Sequence, residues 1–244
     1  MAVPGSRAEP VSGLINFEAF ESRFEASIAA AEILSSVLRD ALAKDSATRA
    51  SLVVSGGSTP GPCFDRLCTQ ELDWSRVTVL PSDERWVPGD HPDSNERLIR
   101  SRLLQGQAGS ATFLPFYREG TEAETAPRMI ERDLQSLAKP FTASLLGMGE
   151  DGHFASLFPD FSGLSEALDP GNEARCITVQ TAGSPHLRIS LTLATLVDSV
   201  RVVLLIFGAE KRKVFDLAVD GATDYPIESL LKHIRSQLTV IWAP

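Results

Sequence analysis

The strongest constraint on this chain is an alternation of short apolar runs with segments of helical spacing. ASLVVS (50–55), RVTVLP (76–81), TASLLGMG (142–149), VRVVLLIFG (200–208) and LTVIWA (238–243) are too short for buried helices, and most are rich in β-branched residues. Each reads as a buried strand. Between them, apolar positions recur at helical spacing over 24–42, 122–138, 209–219 and 227–233. CFDRLC follows a proline pair that suits a helix start, and SNERLIRSRLL (94–104) opens on a Ser/Asn cap. CITVQ and RISLTL add two strand candidates. Strands separated by helices require right-handed crossovers, hence a mostly parallel sheet covered on both faces. No internal repeat or linker interrupts the pattern, so 14–244 reads as a single domain. MAVPGSRAEPVSG (1–13) reads as a disordered lead-in.

In such sheets ligands gather at the carboxyl ends of the strands, so chemistry belongs in the loops that follow them. SGGSTP follows the first of these strands. Gly56 and Gly57 let backbone N–H groups face outward, Ser58 and Thr59 add hydroxyls, and the next helix points its positive end at the loop. The loop suits a phosphate; it also suits an ordinary tight turn. It lacks the G-x-x-x-x-G-K-[ST] pattern of nucleotide hydrolases. The second loop, PSDERWVPGDHPDSNERLIR (81–100), opens on Asp83, Glu84 and Arg85. Arg85 could grip an anion with its planar fork, and the two acids could be acid/base groups or partners for arginines. A solvated charged loop end is the plainer reading.

The third loop, LLGMGEDGHFASLFPD (145–160), has the G-x-G-x-x-G spacing of a dinucleotide fingerprint. A fingerprint needs a long helix after the third glycine and an acid about 20 residues on. Here Pro159 closes the segment after HFASLF, which argues against a nicotinamide cofactor. What remains is a glycine turn containing Gly149 and ending in Asp151, Gly152 and His153. A histidine there can accept a proton near neutrality, or simply cap the loop. Arg188, at the start of RISLTL, and Lys211, in GAEKRKVF, are surface cations unless they share one ligand with these loops.

Composition narrows the partners. Against 23 Lys+Arg stand 32 Asp+Glu, a formal charge of −9, which gives long-range attraction for nucleic acid or anionic membranes the wrong sign. A small anion responds to local charge and remains allowed. Cys63, Cys68 and Cys176 give no disulfide framework, as expected of a reducing cytoplasm. The four histidines are dispersed in sequence, so no metal is expected. No apolar run approaches the roughly 20 residues of a bilayer span, and the N-terminus lacks a signal-peptide core.

Taken together and in order, SGGSTP, SDERWVP with SNERLIR, LGMGEDGHFASLFP, RISLTL and GAEKRKVF resemble the 6-phosphogluconolactonase family, from about Asn16 to the C-terminus. The resemblance implies an open three-layer α/β/α sandwich of modified Rossmann-like kind, and hydrolysis of 6-phospho-D-glucono-1,5-lactone in the pentose phosphate pathway without cofactor or metal. Carried onto this chain, it makes His153 the general base and Asp151 its orienting neighbour. Gly56, Gly57, Ser58, Thr59, Asp83, Arg85, Gly149, Arg188 and Lys211 become candidates for holding the phosphate and hydroxyls. A cytoplasmic monomer or weak homodimer is expected. The related glucosamine-6-phosphate deaminases share SGGSTP and the Asp-Gly-His turn, but carry glutamate where this chain has Phe158 and tyrosine where it has Arg85. One departure from many lactonases is Phe154 in place of threonine. A sugar-phosphate regulator on the same fold would need a DNA-binding extension, and the lead-in offers no helix-turn-helix.

Overall fold

A computed structural model describes residues 7–221 and 223–244. In chain order the elements are β1 (Arg7–Ser12), β2 (Ile15–Ala19), α1 (Arg23–Leu42), β3 (Ala50–Val54), α2 (Gly61–Leu67), β4 (Val77–Pro81), β5 (Asp83–Arg85), α3 (Asn95–Arg102), β6 (Thr112–Phe113), α4 (Ala126–Gln135), β7 (Ala143–Leu146), α5 (Leu164–Ala167), β8 (Cys176–Val179), β9 (Arg188–Leu191), α6 (Leu193–Val197), β10 (Arg201–Phe207), α7 (Ala209–Val219), α8 (Pro226–His233) and β11 (Gln237–Ala243).

Eight strands form one sheet in the order β1-β2-β11-β10-β7-β3-β4-β6. Every pair in it is parallel except β1 with β2. The pleat explains the continuous apolar runs. In β10, Val202, Leu204 and Ile206 enter one core while Val203 and Leu205 enter the other. Because successive side chains alternate, a strand covered on both faces has no solvent-facing position, and a polar residue in it needs a partner inside, as Ser144 Oγ finds in Ser199 Oγ at 2.8 Å. The helices α1, α2 and α3 pack on one face, and α4, α6, α7 and α8 on the other. This is the expected three-layer α/β/α sandwich. Helix α1 starts where expected because the Ser22 side chain accepts from the Glu25 N–H at 3.2 Å.

Three expectations need correction. Residues 7–12 of the expected disordered lead-in form β1, which pairs antiparallel with β2 and so satisfies backbone groups that the polar sequence pattern leaves unsignalled. Residues 1–6 of that lead-in lie outside the described residues. CITVQ and RISLTL are strands, but outside the main sheet: β8, β9 and β5 form a separate antiparallel sheet, ordered β5-β9-β8. The third correction concerns β5, read from sequence as part of a loop. Its Asp83 and Glu84 are buried rather than solvated. The small sheet lies against the core that holds α4, α6, α7 and α8, through Ile189, Leu191 and Cys176.

Candidate active site

The carboxyl ends of β3, β4 and β7 are drawn together by backbone bonds. Ser55 N–H donates to Leu145 O at 2.9 Å, and Ser82 N–H to Val54 O at 2.8 Å. Over these ends opens a cleft of about 230 Å³. Gly56, Gly57, Ser58, Thr59, Asp83, Arg85, Gly149, His153, Arg188 and Lys211 all line it. The five segments that the sequence singled out therefore meet in one place. Asp151 lies one bond behind His153. Ser55, Gly147 and Met148, from the two glycine loops, complete the lining with Asn95 and Ala155, the two that sequence reasoning did not assign to the site. Asn95 carries no signal beyond its place at a helix start. Ala155 has one in the structure, a φ of 49°, a left-handed backbone uncommon for alanine and typical of functional loops.

The turn after β7 presents the histidine. Gly149 N–H donates to His153 O at 2.8 Å, and Gly152 takes a φ of +75° that favours glycine. A Cβ on Gly149 would stand 2.2 Å from His153 Nδ1 and 2.5 Å from Asp151 Oδ1, so only glycine leaves room for this pair. Asp151 Oδ1 lies 2.6 Å from His153 Nδ1 and also accepts from the His153 N–H at 3.2 Å. An ionised Asp151 accepts the Nδ1 proton, which leaves Nε2 as the basic nitrogen. The imidazole lies against Phe158, ring centroids 4.2 Å apart, and Arg188 Cζ lies 5.0 Å from the centroid of the same ring. Phe158 thus lies between the imidazole and the guanidinium and sets their spacing.

The cations come from the small sheet and from α7. In the antiparallel register of β5 with β9, Arg85 stands directly opposite Arg188. Like charges in that position repel. Burial, then the Arg85 charge, hold Arg188 below the ordinary arginine range, partly offset by Asp83, Glu84 and Asp93. Arg85 Nη1 donates to Asp93 O, while its Nε is buried without a protein partner. Burial also lowers Lys211, offset by Glu150. Such an arrangement costs stability in the free protein and suits a small anion.

The acids of β5 have different tasks because alternate residues face opposite sides. Asp83 accepts from Ser82 Oγ at 2.8 Å and Ser156 Oγ at 2.6 Å, beside the cleft. Glu84, fully buried, accepts from the N–H groups of Arg85, Asn95 and Glu96 at 2.8, 2.7 and 2.6 Å, and from Ser94 Oγ at 3.2 Å. It anchors the start of α3. This fixes Asn95, whose Nδ2 donates to Asp83 O at 2.8 Å and whose Oδ1 would stand 1.8 Å from a Cβ on Gly56. Gly56 is a glycine because Asn95 occupies its side. Gly57, with φ +85°, makes the turn beside it. Trp86 packs on Tyr117, centroids 5.1 Å apart, and donates to Thr121 O at 3.2 Å.

No cysteine lines this cleft. All three are buried, and burial pushes the thiols of Cys63 and Cys176 up to about 12, far from a thiolate at neutral pH.

The chain resembles known proteins over most of its length. The family model described as glucosamine-6-phosphate isomerases/6-phosphogluconolactonase matches residues 21–242. A 6-phosphogluconolactonase of Caulobacter vibrioides is 39% identical over 94% of this chain and 97% of its own length. One from Pseudomonas aeruginosa is 40% identical over 85% of this chain and 86% of its own. The crystal structure of a 6-phosphogluconolactonase from Shewanella baltica superposes with a TM-score of 0.88 at 34% identity, over 93% of this chain and 97% of that one.

Proposed function

We infer the function from one premise: the chain belongs to the glucosamine-6-phosphate isomerase/6-phosphogluconolactonase family and is an enzyme of its lactonase branch. On that premise we propose that it hydrolyses 6-phospho-D-glucono-1,5-lactone to 6-phosphogluconate within the pentose phosphate pathway, with His153 as general base. The observation that carries this reading is the pairing of His153 with Asp151 in the same cleft as the opposed Arg85 and Arg188.

A lactone is an activated ester, so a positioned base and donors for the developing oxyanion suffice without a covalent nucleophile. In the proposed reaction His153 Nε2 takes a proton from water as the water oxygen bonds to the lactone carbonyl carbon. Asp151 stabilises the imidazolium through Nδ1. The tetrahedral intermediate then expels the ring oxygen, and the imidazolium returns its proton to that leaving oxygen. The products are a carboxylic acid, which releases its remaining proton to solvent at neutral pH to become the carboxylate, and a free hydroxyl. Arg188, Arg85, Lys211 and the Gly56–Gly57–Ser58–Thr59 loop hold the phosphate and hydroxyls away from the reacting carbon, so their binding energy is spent on orientation. Local positive charge of this kind offsets the net charge of −9.

Phe158 and Arg85 favour lactone hydrolysis over deamination. A deaminase needs a second ionisable group beside the histidine to open the sugar ring, and the side chain in contact with His153 here is a phenyl ring. The direct test is an assay with two substrates. Fresh 6-phosphogluconolactone should be consumed above its spontaneous rate, and glucosamine-6-phosphate should release no ammonia; the reverse pattern would move the chain to the deaminase branch. Among the described residues no helix is long and apolar enough to cross a membrane. A cytoplasmic monomer or weak homodimer acting on a diffusible sugar phosphate remains our reading.

A further inference from the structure

Folding gathers residues that the sequence keeps far apart. His91 and Asp93 lie on the segment between β5 and α3, and His186 lies just before β9, yet one donor atom from each falls within 4.8 Å of the others. Asp93 Oδ2 is 3.1 Å from His186 Nε2 and 3.9 Å from His91 Nδ1, and the two imidazole rings meet edge to face with centroids 5.4 Å apart. The backbone holds the two segments together beside this cluster, since Trp86 N–H donates to Leu187 O at 2.7 Å. His91 Nδ1 accepts the Asp93 N–H at 3.1 Å. That nitrogen is therefore unprotonated; its lone pair is directed at the Asp93 N–H, and a bound metal ion would take the place of that hydrogen bond. The sequence expectation of no metal rested on the dispersal of the histidines, and this pair removes that ground.

We propose that His91, Asp93 and His186 form a binding site for a borderline divalent transition ion of the zinc class. Two imidazoles and one carboxylate are a common three-ligand set for zinc, with water in the fourth position, whereas magnesium and calcium prefer all-oxygen sets. Tetrahedral bonds of about 2.0–2.2 Å put ligand atoms roughly 3.4 Å apart. The 3.1 Å and 3.9 Å separations already bracket that value. The site is distinct from the His153 centre but touches it through one residue, because the Asp93 carbonyl accepts from Arg85. Bound metal ties the segment after β5 to the one before β9, the two strands that carry the opposed arginines, and so clamps the cleft rim.

The test is calorimetric titration of tag-free, chelator-stripped protein with zinc chloride, with magnesium chloride as comparison. One equivalent of zinc should bind, far more tightly than magnesium, and should raise the melting temperature. His91→Ala and His186→Ala should each weaken binding about tenfold or more, while His153→Ala should bind as the wild type does. Circular dichroism checks the fold of each variant, and His186→Gln serves if His186→Ala misfolds. Absence of stoichiometric binding, unchanged binding in the His91→Ala/His186→Ala double variant, or loss of binding in His153→Ala would each overturn the site. None of these readouts depends on lactone turnover.

Discussion

Strand β10 and strand β5 are both buried, and they are buried for opposite reasons. β10 places Val202 through Ile206 between two apolar cores, and every one of these residues is essentially inaccessible. Its burial is stabilised by area and dispersion, with no particular partner required. β5 is Asp-Glu-Arg, and each charge must be answered separately. Asp83 has two hydroxyl donors and Glu84 has three N–H groups and a hydroxyl. Arg85, facing Arg188, is the member left short: its Nε has no partner. The comparison teaches where to look for function. In a segment whose carboxylates all find hydrogen-bond donors, the guanidinium nitrogen left without a partner is the place to look for a ligand.

If the main sheet supplies stability and the cleft supplies chemistry, substitutions should separate the two. The largest effect is expected at the turn after β7. His153→Ala should lower kcat by about 10²–10⁴, the range of general acid–base catalysis, with little change in melting temperature. Steady-state kinetics above the spontaneous hydrolysis rate measure this, and turnover near the wild-type rate would remove His153 from the base role. Next comes Leu204→Ala in β10. Deleting a fully buried leucine should cost about 2–5 kcal/mol of unfolding free energy by denaturant titration, while KM of the folded fraction stays put. A shifted KM would mean that the two regions are not separable.

The small sheet gives the sharper test. Arg188→Ala removes a proposed anion ligand and also a like-charge neighbour of Arg85. KM should rise by about 10–100-fold, equivalent to one charge-assisted hydrogen-bonded contact, with stability unchanged or slightly improved. A large loss of stability with unchanged KM would assign Arg188 to the fold.

Legibility from sequence followed the same division. The buried strands of the main sheet and the long helices were readable because apolar period reports burial directly. The turn around His153 was readable because glycines at Gly149 and Gly152 leave few alternatives. β5 was not, since three charged residues carry no period, and their burial depends on donors from Ser82, Ser94 and Ser156 and on the N-terminus of α3. Nor was the second sheet. CITVQ and RISLTL have the composition of strands, but nothing in them states that their partner is β5 rather than β7. Asn95 looked like a helix start, and only the fold puts it against Gly56. The encounter of His91 with His186 is likewise a product of the β5–β9 pairing.

The smallest effect expected concerns Glu84, and it tests how a buried charge is answered. Burial pushes Glu84 up to about 7, against the N–H groups of Asn95, Glu96 and Arg85, which favour the carboxylate. The ordinary value is 4.5, so between about 4.5 and 7 the folded chain binds more protons than the unfolded one. Stability from this group is therefore fully present below that window and falls as pH rises through it. Glu84→Gln mimics the neutral acid but does not titrate. At pH 5 it should cost about 1–2 kcal/mol, because an amide presents its own donors to a nest of N–H groups. The gap to wild type should then narrow toward pH 7, measured by urea unfolding at several pH values. If the gap widened instead, the ionised carboxylate would be the preferred partner of α3. The helix N-terminus would then outweigh burial, and β5 would be stabilised by its charge rather than in spite of it.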